Sequence, residues 1–224
     1  MEGSNPMTDR IVRIFEATNF GFLLLLIAAI GDVVIPFALA PFYPKYNHLT
    51  MVMSLLGHRN SPVHILYNFW LIAAGIMFIL GGVNLYAVYF PVSEMLSKAL
   101  LLCIIIYAVG GCILSGIFPV GETKELKTLS EKIHGFGAVI GFLALLFAPL
   151  FTGILSMRLN QAVCGVISFV FFGLALLFFA LFIMGDKPGF DGTVVSYEGL
   201  WQRLSLICMY APIIMVSAYN TAIK

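Results

Sequence analysis

Charge is what this sequence has least of. Only 10% of its 224 residues are Asp, Glu, Lys or Arg, against roughly 25% in an average soluble domain. That shortage excludes a water-soluble globule of this size, because too little polar surface is present to cover it. The formal net charge of +1 excludes the strongly basic balance of a nucleic-acid binder. Cysteine pairing is absent too. Cys103, Cys112, Cys164 and Cys208 each lie inside an apolar run, with no CxxC among them. They read as small buried hydrophobes rather than a disulfide or zinc framework. There is no HExxH and no His pair at i, i+4, so the usual zinc-hydrolase signature is missing. The two halves of the chain do not echo each other, which counts against a transporter built from repeats.

Long apolar runs are what the sequence has instead. The chain is 61% hydrophobic, with a mean hydropathy of +1.01. A membrane span needs about 20 apolar residues, since a helix rises 1.5 Å per residue across roughly 30 Å of hydrocarbon. Six stretches qualify: 19–41, 64–90, 98–118, 133–154, 161–184 and 200–221. The first is too long for the apolar core of a signal peptide and reads as a span. The expected architecture is all-α: an integral membrane bundle of six helices in one domain, 19–224, after a polar tail, 1–18. Both termini then share a side. The loops 42–63, 119–132 and 185–199 lie together on the other.

Basic residues do not orient the bundle decisively. Arg10, Arg13, Lys98, Arg158 and Lys224 fall on the terminal side. Seven others fall on the loop side, but in longer loops and interleaved with acids. Their density favours the termini inside. Gly137 and Gly141 in GFGAVIGF, with Gly110, Gly111 and Gly116 in the third span, mark faces where helix backbones come close.

The polar residues that stand out converge on the loop side. Asp32, in IGDVVIP, lies roughly 13 Å deep by helical rise. A charge in hydrocarbon is costly, so such a residue faces the bundle interior and finds a partner. Arg203, at the mouth of the last span, is the expected partner. A protonated histidine or a neutral, protonated Asp32 are the alternatives. Ser54, His58, His64, Glu122 and His134 complete the candidate basin. Ser54 and His58 are spaced to pair if their stretch is α-helical, although a capping role for the serine is the simpler reading. His58, His64, His134 and Asp32 have the ligand types zinc accepts. Nothing else supports a metal, and no cofactor is expected. The segment PVGETKELKTLSEKIHGFG reads as a solvated connector.

Four short motifs occur in order along nearly the whole chain: Ser54-Leu55-Leu56-Gly57 with Ser61-Pro62, then Gly116-Ile117-Phe118-Pro119, then His134 with Ala138, then Gly199-Leu200 with Arg203. With them the chain resembles an uncharacterised prokaryotic membrane family, catalogued as domain of unknown function 998. The resemblance implies six spans and a prokaryotic cell membrane. The family pattern places an acid two positions after the proline. Here that position is Gly121, and the acid is Glu122. The family is in turn distantly similar to six-helix proteins of the Frag and DRAM types, some linked to lipid remodelling, which adds a small expectation of lipid-related work.

The leading expectation is therefore a protein that binds a membrane lipid or small amphiphile in a polar basin at the loop side. A membrane-embedded lipid hydrolase, metal-dependent or not, is the alternative. A proton-coupled transporter with Asp32 as carrier is the third, and lacks polar residues continuing down the first span.

Overall fold

The computed structural model describes residues 19–121 and 125–223. The N-terminal tail, Glu122 and Lys224 lie outside the described residues. Six helices are long and apolar enough to cross a bilayer. They are α1 (Phe20–Leu39), α2 (His64–Tyr89), α3 (Glu94–Ile117), α4 (Leu129–Arg158), α5 (Ala162–Gly185) and α6 (Glu198–Ile223). Two start earlier than the hydropathy pattern suggests. Ser93 caps α3 by accepting from the Leu96 amide, and an exposed Glu94–Lys98 pair supports its first turn. Thr128 and Glu131 form a capping box at the start of α4. The T-x-x-E spacing is visible in what read as a plain solvated connector.

Small residues decide which faces meet. A Cβ on Gly110 would come within 2.4 Å of the Gly137 carbonyl oxygen, and one on Gly141 within 2.7 Å of the Gly111 nitrogen. The backbones of α3 and α4 therefore touch where the glycine pattern places them. Gly81 meets the Gly21 carbonyl in the same way, joining α2 to α1. Without a hydrophobic drive between helices in lipid, this close van der Waals contact is a main source of association.

Two helices depart from regular geometry. Residues Ala108–Leu114 of α3 form a π-helical stretch. In an α-helix, every four residues drift by about 40°. The wider π turn takes that drift back, so Tyr107, Gly111 and Ser115 line the same cavity. Such turns recur at functional sites. In α4, the helix breaks at Phe147, just before Pro149. Proline removes one backbone donor and clashes with the preceding turn. The second half of α4 packs along α5, whereas the first half barely touches it. α5 is also the least buried of the six helices. A gap is left between the first half of α4 and α5, facing the surrounding lipid.

Candidate functional site

Asp32 points inward because of the face it shares. Leu25, Ala28, Ala29, Asp32 and Pro36 follow one helical stripe, and all are buried. The carboxyl is 2% exposed. Its Oδ2 accepts the Tyr210 hydroxyl at 2.6 Å and the Tyr107 hydroxyl at 3.1 Å. The two hydroxyls also contact each other. Phe78 packs against both rings. Trp70 lies over Gly31, where a Cβ would meet its ring at 2.3 Å, and its indole is the third polar group acting on the carboxyl. Asp32 Oδ1 and Trp70 Nε1 are nevertheless buried without a hydrogen-bond partner.

The expected Asp32–Arg203 pair does not form. Arg203 is spent on the first long loop. Its Nη1 donates to the carbonyls of His48, Met51 and Gly199 at 2.7–3.1 Å, and its Nη2 donates to the Tyr46 hydroxyl at 2.6 Å. The guanidinium also lies over the rings of Phe37 and Tyr46. A planar fork with several donors suits this task better than a point charge. Burial lifts the Tyr46 hydroxyl above its ordinary pKa, with the guanidinium opposing, so it accepts as a neutral phenol. Burial, and then Arg203, hold His48 below the ordinary histidine pKa. Gly199 lets the loop press against α6, since a Cβ there would lie 2.4 Å from the Met51 carbonyl oxygen.

Three of the sequence candidates come together. Asp32, Ser54 and His134 line one cavity of about 50 Å³, walled by Tyr67, Tyr107 and Gln202 among others. His134 Nδ1 donates to the Phe118 carbonyl at 2.9 Å, which leaves the Nε2 lone pair of a neutral imidazole available. Gln202 Oε1 accepts the Met53 amide at 2.7 Å, holding the turn that carries Ser54.

The other candidates go elsewhere. Ser54 and His58 do not pair as α-helical neighbours. The stretch Met53–Gly57 is a 3-10 turn with His58 extended beyond it. His58 faces a separate polar groove with Arg59 and Lys127, and its Nδ1 accepts the Asn60 amide. His64 Nδ1 donates to the Ser61 carbonyl at 2.7 Å, at the start of α2. Among the described residues, no three His, Cys, Asp or Glu side chains are grouped to hold a metal, so the suggested set of His58, His64, His134 and Asp32 is not assembled.

The two most important partners, Tyr107 and Tyr210, escape a reading based on ionisable residues. Their signal is position. Each lies near the middle of an apolar span, away from the interface where tyrosine usually sits, and a buried phenol needs a hydrogen-bond partner.

Beside the polar cavity, a larger apolar groove of about 300 Å³ fills the gap between α4 and α5, with Val139, Leu143, Phe179, Phe182 and Ile183 in its walls. Ser54, His134, Ala138, Phe142 and Gln202 border both spaces. The two are neighbours, one lined by polar side chains and one mostly apolar.

Six spans, five of them lining this cavity, define a multi-pass membrane protein with a polar pocket at the loop end. The chain belongs to the family described as Protein of unknown function (DUF998), whose model matches residues 26–219. No curated protein and no solved structure matches the chain. Of the motif residues, Ser54, His134 and Ala138 border the cavity. Gly116 lies against the Asn68 carbonyl of α2, and Gly199 and Arg203 hold the loop.

Proposed function

We propose that this protein binds a membrane amphiphile, with the apolar chain in the α4/α5 groove and the polar end at Asp32, Ser54 and His134, in a prokaryotic cell membrane. One observation carries the reading: an apolar groove at the lipid-facing gap shares its wall with a buried polar cavity. A lipid-facing slot lined by Val139, Leu143 and Ile183 suits a hydrocarbon chain. The cavity behind it suits a group that leaves water only for hydrogen bonds. The test is native mass spectrometry of protein extracted in mild detergent from its own membrane. A retained lipid, lost in Val139→Trp, is expected. An empty wild-type protein, or a lipid retained equally by the variant, would reject the groove as its site.

A membrane-embedded hydrolase is the second reading, favoured by Ser54, His134 and Asp32 bordering one cavity. In it, His134 Nε2 acts as base toward the Ser54 hydroxyl. Covalent labelling by a long-chain fluorophosphonate, lost in Ser54→Ala and in His134→Gln, is the outcome that this reading requires.

A further inference from the structure

The polar end of the bound molecule is specified by which hydrogen bonds the cavity has already made. Several of its donors are already spent. Tyr107 and Tyr210 both direct their hydroxyls to Asp32 Oδ2. Ser115 Oγ donates to the Gly110 carbonyl. His134 Nδ1 donates to the Phe118 carbonyl. Ser54, Tyr67 and the Gln202 side-chain amide keep donors at the cavity wall, and acceptor capacity remains on Asp32, whose Oδ1 has no hydrogen-bond partner, on the His134 Nε2 lone pair and on the Ser115 oxygen.

Charge points the same way. Among the described residues, neither Lys nor Arg lines the cavity, and the nearby Arg203 has its Nη atoms turned to loop carbonyls and Tyr46. A buried carboxylate needs a countercharge or a proton, and the described residues lining the cavity include no Lys or Arg. An anionic phosphate head would meet no Lys or Arg among the lining residues. Size limits the head further. A buried water takes roughly 10–15 Å³ of comparable volume. A cavity of about 50 Å³ therefore admits a head of few heavy atoms.

Building on the amphiphile-binding reading, we propose that the ligand is a single-chain cationic amphiphile whose primary ammonium head pairs with Asp32 while its tail occupies the α4/α5 groove. The ammonium brings three donors for the acceptors at Asp32, His134 and Ser115, and one charge to a carboxyl that meets no Lys or Arg among the residues lining the cavity.

The experiment measures apparent Kd by native mass spectrometry for three probes of equal chain length: tetradecylammonium, tetradecanol and myristate. Wild-type protein is compared with Asp32→Asn and Val139→Trp. Tetradecylammonium should bind tenfold or more tighter than the alcohol, about the scale of one hydrogen bond to a charged group, and myristate weakest. Asp32→Asn should erase the preference but keep alcohol binding. Val139→Trp should weaken all three. Equal binding of all probes, lost in Val139→Trp, would keep the groove and overturn the ammonium head. A preference that survives in Asp32→Asn would overturn it as well. Binding indifferent to Val139→Trp would overturn the groove itself. If Asp32→Asn does not fold, the ranking on wild-type protein decides the matter alone.

Discussion

Two ionisable side chains are buried at the same end of this bundle, and they are used in opposite ways. Arg203 is 5% exposed and Asp32 is 2% exposed. Burial alone does not separate them. Hydrogen bonding does. The guanidinium Nη atoms reach three carbonyls and a phenol, all from the loop or its own helix. The carboxyl holds two phenols on one oxygen, leaves the other without a hydrogen-bond partner, and borders a cavity. The first arrangement is structural: every Nη bond goes to the loop or to α6, although Nε is buried without a partner. The second is open and waits for a donor. In a membrane interior, the ionisable group that borders a cavity is the more informative one.

The sharpest way to break this contrast is Arg203→Gln. Several charge-assisted bonds vanish and carbonyls are left buried, so about 3 kcal/mol of stability is expected to go, with hydrogen bonds to charged groups each contributing about 1.5–3 kcal/mol. Reversible unfolding in mixed micelles measures it. An Arg203 loss below about 1 kcal/mol would contradict the clamp, since one such bond alone exceeds it.

Gly141→Leu comes next. The backbones of α3 and α4 have no room for a side chain there, and overpacking of this kind costs about 1–3 kcal/mol. It tests the scaffold behind the site in the same unfolding assay. A neutral result would mean the two helices can part without penalty.

Asp32→Asn is expected to lie lower, at about 1 kcal/mol or less, because the amide oxygen still accepts both phenols. Its effect belongs to ligand choice rather than to stability. Combined with Arg203→Gln, the losses should add within about 0.5 kcal/mol, since the two side chains share no hydrogen-bond partner. A large coupling would restore the ion pair expected from the sequence.

The smallest effect concerns pH. His48 titrates below the ordinary histidine range because of burial and then Arg203. The unfolded chain therefore binds the proton more readily. Its stabilising contribution is present above the ordinary histidine pKa and is lost as pH falls through it. Thermal midpoints of wild type and His48→Gln, compared near pH 7.5 and pH 5.5, should show a slightly smaller acid loss in the variant. An equal acid loss would place the sensitivity elsewhere.

Much of this molecule is legible in the residues. Span number follows from hydropathy, and the α3/α4 contact follows from Gly110, Gly111, Gly137 and Gly141. The inward direction of Asp32 is legible from Gly21, Ala28 and Ala29, small residues on one stripe of an otherwise uniformly apolar α1. That Ser54, His134 and Arg203 lie near the long loops follows from their places in the chain. Their separate uses were not legible. The Ser54–His58 pairing fails because the local turn is 3-10, and a four-residue spacing no longer shares a face.

By itself, then, the sequence determined the solvent, the number of crossings and the surfaces that pack, because these depend on local composition and on steric size. Only the tertiary structure decided the partners. Tyr107 and Tyr210 lie 75 and 178 residues from Asp32 in the chain. Arg203 reaches back 155 residues to the His48 carbonyl. Hydrogen bonds at that separation are chosen by which faces the helix crossings bring together, and by the kink at Phe147 and the π turn after Tyr107, which set where a groove opens and which side chains meet inside it.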